Sequence, residues 1–145
     1  MSNQSLALSP FHLAFPVNDL ASIREFYISV LECKLGRESD RWIDFNFFGH
    51  QITAHLDETE DNKIGQNQVD SHAVPARHFG VILPWEDWDR LVERVRACEI
   101  EFHIQPYTRF AGQPGEQRTF FIQDPSNNFL EFKCFQNSDL IFNTL

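Results

Sequence analysis

The first predicted element is a strand over residues 11–17, in which apolar and polar positions alternate. One face carries the bulky apolar residues Phe11, Leu13, Phe15 and Val17. The opposite face carries His12, Ala14 and Pro16. Alternation of this kind is typical of a strand with one buried face, so His12 is predicted to point away from the core.

A helix and two further strands follow. Asn18 or Asp19 can cap the helix, which continues to residue 30 or 31 with apolar residues at helical spacing. Residues 42–47 and 51–56 are predicted to form two strands around a tight turn. The simplest interpretation of this part of the chain is a β-α-β-β unit.

The same pattern begins again after a polar stretch. A strand at residues 78–83 alternates like the first one, a helix follows to about residue 97, and the last strand spans residues 129–135. Placing His12 over His78 aligns the two halves, with an offset of 78 − 12 = 66 residues. An internal repeat of one supersecondary unit is therefore predicted.

The repeat defines the predicted organisation of the chain. The first module covers residues 8–57, a connecting loop covers 58–76, and the second module covers 77–136. We predict one compact α+β domain of two tandem βαβββ modules. They form a curved mixed sheet around a metal-binding cavity, with the helices on the outer face.

Composition and charge exclude several classes of function. The chain has 145 residues, 15 of them Phe, and a formal net charge of −9, which disfavours nucleic acid and anionic lipid as partners. It shows no signal peptide and no apolar run long enough for a membrane helix, so a soluble, cytoplasmic protein is expected. Three cysteines without C-x-x-C spacing argue against disulfides and a structural zinc site.

Three polar residues share one arrangement along the predicted strands. His12, His78 and Glu131 each lie between bulky apolar neighbours, so all three are predicted on the sheet face opposite the helices. Ala14 and Gly80, each two residues after a histidine, are expected to leave open space beside it. Two imidazoles and one carboxylate suit Fe(II), Mn(II) and similar ions and leave coordination positions open. Each residue alone is more often an ordinary strand residue, but their recurrence at matched positions favours a metal site.

The same segments carry a family resemblance that covers about residues 8–135. The start of each module resembles the module openings of glyoxalase/bleomycin-resistance/dioxygenase proteins, the vicinal oxygen chelate superfamily. In the first module the resemblance covers residues 12–20 and Phe26-Tyr27, and in the second it covers residues 78–81. Residues 121–132 resemble the closing D-P-x-G-N-x-x-E-F pattern of that family. Asn127 replaces the usual glycine of this turn, and asparagine also tolerates a positive φ.

The resemblance implies one divalent metal ion, with Fe(II) expected first and Mn(II), Ni(II) or Zn(II) as alternatives. Placing the turn at Gly49 over that at Asn127 puts Thr53 at the position of Glu131. Metal-dependent glyoxalases carry a glutamate there as a fourth protein ligand, and threonine is a poor ligand. The chain therefore resembles small extradiol-type dioxygenases most closely.

The activity implied is oxidation of a catechol-like or other vicinal-oxygen substrate. A non-redox glyoxalase, isomerase or lyase is the alternative enzyme, and a protein that sequesters an aromatic drug is the alternative outside enzymes. A homodimer is expected, and the sequence leaves open whether its metal site lies within one chain or between two.

Three further residues are candidates for contact with the substrate. His55 lies two residues after Thr53 on the same strand face, where it could act as an acid or base. Tyr107 and Arg109 precede a Gly/Pro-rich loop at residues 112–117, and Arg109 could bind an anionic group. A hydrogen-bonded strand histidine and a plain solvated loop are the alternative interpretations.

Overall fold

The computed structural model describes residues 8–59 and 65–144, and the chain divides between residues 60 and 61 into two compact units. The first unit contains, in order, β1 (His12–Val17), α1 (Leu20–Glu25), a π-helical turn (Phe26–Val30), β2 (Lys34–Glu38), β3 (Trp42–Phe47) and β4 (His50–Leu56). Its sheet has the order β1-β4-β3-β2. β1 is parallel to β4, and the other neighbouring strands are antiparallel.

The second unit contains β5 (Gln66–Val69), β6 (His72–Pro75), β7 (Phe79–Ile82), α2 (Trp85–Ala97), β8 (Phe102–Arg109), β9 (Gln117–Gln123), β10 (Phe129–Phe135) and a 3₁₀ turn (Ser138–Leu140). Its four-stranded sheet has the order β7-β10-β9-β8, with β7 parallel to β10. Each unit therefore places its first strand beside its last strand. This common order confirms the predicted α+β class and the repeated βαβββ module.

The predicted start of the first helix is confirmed. Asp19 is its N-cap, and its side chain accepts a hydrogen bond from the Ser22 backbone N–H at 2.9 Å. Tyr27, in the π-helical turn, is fully buried and stacks on Phe45 with ring centroids 5.0 Å apart. The helical segment thus covers one face of the sheet and leaves the His12 face free of it.

The alternation predicted for the first and last strands is confirmed except at the start of the first strand, where Phe11 is 63% exposed and Leu13 is only half-buried. In β1, Phe15 and Val17 are buried while His12 is exposed. In β10, Leu130, Phe132 and Cys134 are fully buried. Glu131 and Lys133 lie on the other face and are only partly covered. The period of two along each strand therefore fixes the face on which the polar side chains lie.

One strand was not located from the sequence, and one prediction about a connecting segment was wrong. β2 is one of the three strands that the predicted βαβββ module has after its helix, but every residue in it is exposed, so it shows no apolar alternation. The stretch predicted as a connecting loop contains the β5–β6 hairpin, whose strands pair over Gln66–Val69 and His72–Pro75. Its turn residues Asp70 and Ser71 have φ of 50° and 68°, as a tight two-residue hairpin turn requires.

The second helix matches its predicted extent and packs on the sheet of its own unit. Its buried residues recur at helical spacing: Trp88, Leu91, Val92 and Val95. The Trp88 indole N–H donates to the Phe132 carbonyl oxygen at 2.9 Å, which ties the helix to β10 beside Glu131. No helix in the described part of the chain is long and apolar enough to cross a membrane.

Candidate metal centre

His78 and Glu131 lie together in the second unit. His78 immediately precedes β7, Glu131 lies in β10, and His78 Nε2 is 3.2 Å from Glu131 Oε1. The two side chains are 28% and 17% exposed, so both are partly shielded but open to solvent on one side. The structure thus brings two of the predicted ligands into contact, and their role as metal ligands stays a prediction.

The outer atoms of both side chains are held by hydrogen bonds. His78 Nδ1 lies 2.8 Å from the Pro75 carbonyl oxygen, which can only accept, so Nδ1 carries a proton. Thr119 Oγ1 donates to Glu131 Oε2 at 2.6 Å. These bonds orient His78 Nε2 and Glu131 Oε1 toward each other, as outer hydrogen bonds orient metal-binding side chains in proteins.

The electrostatics of the pair favour opposite charges. The hydrogen bond to Glu131 raises the pKa of His78 above its ordinary value, more than burial lowers it. Burial acts to raise the pKa of Glu131, but the bonds from His78 and Thr119 outweigh it and the pKa is lowered. Without a metal, the geometry therefore favours a protonated imidazole beside an ionised carboxylate.

The same geometry fits a divalent ion. Two ligand atoms about 2.0–2.2 Å from one ion, at ordinary coordination angles, lie roughly 3.0–3.5 Å apart. The separation of 3.2 Å between His78 Nε2 and Glu131 Oε1 falls in this range. An imidazole nitrogen whose tautomer is fixed and a carboxylate oxygen are suitable donors for such an ion.

His12, the third predicted ligand, begins β1 in the first unit and is exposed. In β1 it pairs with Gln51 of β4. Among residues 8–59 and 65–144, no group of three or more His, Cys, Asp or Glu side chains is arranged to hold a metal ion. Two of the three predicted ligands are therefore in contact, and the role of His12 stays a prediction.

The strand registers support the equivalence of Thr53 and Glu131. Ala14 pairs with Thr53 in the first sheet, as Gly80 pairs with Glu131 in the second. Thr53 is 6% exposed, and its hydroxyl donates to Asp44 Oδ1 at 2.6 Å. In each sheet, a threonine hydroxyl thus donates a hydrogen bond to a carboxylate on the neighbouring strand. The threonine is on the last strand of the first sheet, β4, whereas in the second sheet the carboxylate is on the last strand, β10.

Asp44 is a buried carboxylate that was not singled out from the sequence. It is 7% exposed, and besides Thr53 it accepts a bond from Gln51 Nε2 at 3.4 Å. It lines a cavity of about 340 Å³ within the first unit. Its signal was present, because Asp44 lies between the apolar residues Ile43 and Phe45 as Glu131 lies between Leu130 and Phe132.

Gly80 has a different role from the open space predicted for it. A Cβ atom at this position would lie 1.5 Å from the Glu131 carbonyl oxygen. The residue therefore allows the backbones of β7 and β10 to approach closely beside the carboxylate. Ala14, its counterpart in β1, is exposed as expected.

Tyr107 and Arg109 lie at the end of β8, before the Gly/Pro-rich loop. The Tyr107 hydroxyl donates to Asp70 Oδ2 at 3.0 Å, and Arg109 forms an ion pair with the same carboxylate. Burial and the bond to Asp70 raise the pKa of Tyr107 to about 12. The turn of the β5–β6 hairpin is thus attached to β8 through two residues predicted to contact a substrate.

Three other histidines make contacts within their own units. His55 is exposed in β4, two residues after Thr53. His50 Nδ1 accepts a bond from the Phe11 backbone N–H at 2.8 Å, and the His72 ring packs on Tyr107. Nothing in these contacts tests the acid or base role suggested for His55.

Comparison with known proteins relates these observations to one family. The sequence model of the Glyoxalase/Bleomycin resistance protein/Dioxygenase superfamily matches residues 9–132. A crystal structure titled glyoxalase/bleomycin resistance protein/dioxygenase from Alicyclobacillus acidocaldarius is similar, with 34% identity and a TM-score of 0.79. The match covers 92% of this chain and 96% of that one.

More distant structures share the fold. The fosfomycin resistance protein FosX from Listeria monocytogenes has 18% identity and a TM-score of 0.65, with 89% of this chain and 94% of that chain covered. FosX from Mesorhizobium loti has 17% identity and a TM-score of 0.64, with 92% and 96% covered. No curated protein matches the sequence.

Proposed function

Because the chain belongs to the glyoxalase/bleomycin resistance protein/dioxygenase superfamily, we propose that it is an enzyme that holds one divalent metal ion through His12, His78 and Glu131. Proteins of this superfamily are typically dependent on a divalent metal. The observation that carries the proposal is the pair of His78 Nε2 and Glu131 Oε1, 3.2 Å apart and oriented by outer hydrogen bonds.

Fe(II) is the ion proposed for the active enzyme, and Mn(II), Ni(II) and Zn(II) are the other ions that this donor set accepts. Two imidazoles and one carboxylate leave coordination positions open for further ligands. When bound, the ion would act as a Lewis acid toward neighbouring oxygen atoms of a substrate. The protein residues contribute position: Pro75 and Thr119 fix His78 and Glu131 before any substrate arrives.

The proposed reaction is extradiol-type oxidation of a catechol-like substrate by dioxygen. Thr53 supports it, because a buried hydroxyl already bonded to Asp44 is poorly suited to be a fourth ligand. His55, Tyr107 and Arg109 are proposed to contact the substrate. The active form is proposed to be a homodimer, as members of the superfamily often are, acting on a small molecule.

Metal content tests the ligand set directly. We expect His12→Ala, His78→Ala and Glu131→Ala each to lose most bound metal in elemental analysis. His50→Ala and His72→Ala are matched controls that remove an imidazole elsewhere and should retain it. Full metal occupancy in Glu131→Ala, or no binding by the unaltered protein supplied with Fe(II), Mn(II), Ni(II) and Zn(II), would contradict the proposal.

Oxygen consumption tests the reaction. The Fe(II) protein should consume dioxygen with at least one compound of a catechol panel, and a chelator should abolish this uptake. Tight binding of an aromatic drug that a chelator does not affect, with no oxygen uptake on any catechol, would instead indicate a sequestering protein.

A non-redox isomerase or lyase is the second candidate, and Asp44 is the observation that favours it. A buried carboxylate with two hydrogen bonds, open to a cavity in the first unit, is suited to accept a proton from a substrate. Under strict exclusion of oxygen, turnover that Asp44→Asn abolishes while metal content is unchanged would support this reaction over dioxygenation.

A further inference from the structure

The sheet of the second unit presents a grid of side chains on the face that carries Glu131. Strand pairing places Lys133 opposite Thr119 and Phe135 opposite Gln117. On the other side of β9, Tyr107 is opposite Thr119 and Arg109 is opposite Gln117. Residues paired in this way share a sheet face. One row of side chains therefore crosses the strands at Lys133, next to the row of Glu131, and a second row crosses them at Phe135.

A cavity of about 620 Å³ lies over these rows. Its lining includes Arg109, Gln117, Lys133 and Phe135 from the grid and Leu140 and Ile141 from the segment after β10. All of them lie in the second unit. The volume is that of a site for a small organic molecule.

The cavity is positively charged at one point. Lys133 is only partly covered and forms no ion pair with any residue that the structure describes, although its charge acts on Glu131, two residues away, and helps to lower the pKa of that carboxyl. Arg109, in contrast, is paired with Asp70 and packs over the Phe110 ring at 5.0 Å, so its charge is already compensated. Lys133 therefore supplies the net charge of the cavity, in a molecule whose formal charge is −9.

The other walls are apolar or neutral. Phe135, Leu140 and Ile141 supply apolar surface, and Gln117, 8% exposed, supplies an amide beside Lys133. One unpaired ammonium and one amide match the charge and the hydrogen-bonding capacity of a single carboxylate. A phosphate would bring more negative charge than the site offsets.

We infer that this cavity is a binding site for an amphiphilic carboxylate, with Lys133 as the counter-ion and the apolar body against Phe135, Leu140 and Ile141. The inference goes beyond the proposed function, because neither His78 nor Glu131 lines this cavity. Residues two apart on one strand face are separated by about 7 Å, which is the distance along β10 between Glu131 and Lys133. Phe135 lies two residues further along β10, so the bound carboxylate lies between the Glu131 side chain and the apolar body of the ligand.

Binding of 2-naphthoate to the metal-free protein tests the inference, with 2-naphthamide as the neutral probe. Calorimetry should show that 2-naphthoate binds about 10- to 100-fold more tightly, as a charge-assisted hydrogen bond provides. Lys133→Met should abolish this preference. Lys34→Met, the same change on the exposed strand β2, should preserve it.

The outcomes separate this inference from the metal proposal. Chelator-treated protein contains no metal to hold the carboxylate, so the preference is measured independently of His12, His78 and Glu131. Ile141→Trp, which fills the apolar end, should weaken both probes about equally and serves if Lys133→Met fails to fold. Equal affinities for the two probes, no binding of either, or an unchanged preference in folded Lys133→Met would overturn the inference whatever the metal analysis shows.

Discussion

His78 and Glu131 are held at a distance that suits a shared proton or a shared metal ion. The Pro75 carbonyl oxygen fixes the imidazole through Nδ1, and the Thr119 hydroxyl fixes the carboxylate through Oε2. Neither side chain therefore has to move when a metal ion replaces the shared proton. The proton and the metal therefore compete for one lone pair, on His78 Nε2. At the scale of single residues this competition is the main measurable property of the site.

Metal affinity is predicted to fall as the pH is lowered. The pKa of His78 is raised above its ordinary 6.5 by Glu131, so metal-free protein keeps the imidazole proton up to a higher pH than usual. Below that raised pKa, the apparent affinity for Ni(II) should fall about tenfold per pH unit for each proton displaced. Competition titrations between pH 8 and pH 5.5 measure this slope, and an affinity independent of pH would contradict it.

Gly80→Ala is predicted to disturb the site through the backbone. Its Cβ would meet the Glu131 carbonyl oxygen at 1.5 Å, so β7 and β10 have to separate. We expect a loss of about 1–3 kcal/mol in the free energy of unfolding, with reduced metal content. Gly65→Ala, where a Cβ would have no neighbour within 4 Å, is the matched control. Unchanged thermal unfolding and metal content in Gly80→Ala would show that the strands tolerate the methyl group.

At the scale of elements, burial decides what the sequence reveals. Strands β1 and β10 each bury one face, and their alternation predicted both the strands and the faces of His12 and Glu131. Every residue of strand β2 is exposed, and in the β5–β6 hairpin only Pro75 is fully buried, so no alternation distinguishes them from loops. No strand was predicted at the end of β8, although Tyr107 and Arg109 are paired with β9.

The candidate site, like the strands, was predictable only where residues follow a strand pattern or the internal repeat. His78 and Glu131 follow from strand faces and from the repeat, whereas their hydrogen bonds to Pro75 and Thr119 depend on tertiary contacts that no local pattern encodes. Asp44 has the same apolar neighbours as Glu131, but the repeat supplied no carboxylate at a matching position to draw attention to it. Asp70 was missed because it belongs to the hairpin turn.

The hairpin turn is predicted to set the charge of the cavity in the second unit. Asp70 compensates Arg109, so Asp70→Asn leaves the guanidinium as a second positive charge beside Lys133. The affinity for 2-naphthoate should rise about tenfold, while that for 2-naphthamide should stay the same. Calorimetry on both probes measures the difference. A matched fall for both probes would mean that Asp70 holds the cavity open instead.

At the scale of the whole molecule, two units of the same strand order each hold residues that are proposed to take part in the chemistry. The second unit holds His78 and Glu131, and the first holds His12, with Asp44 and Thr53 at the equivalent place in its sheet. Both units were predicted from the repeat, and the shared strand order shows why the repeat was informative: equivalent strands carry equivalent faces.

Metal binding is predicted to stabilise both units if His12 is a ligand of the ion that His78 and Glu131 bind. A metal present at 100 times its dissociation constant stabilises the native state by about 2.7 kcal/mol, which slows exchange of globally protected amides about 100-fold. Hydrogen exchange followed by mass spectrometry should therefore show slower exchange in peptides from β1 and β4 as well as from β7 and β10. In His12→Ala the effect should persist only in the second unit and be weaker there, because an imidazole ligand has been lost. Slower exchange confined to β7 and β10 in the unaltered protein would show that the ion is held without His12, which would reduce the proposed ligand set to His78 and Glu131.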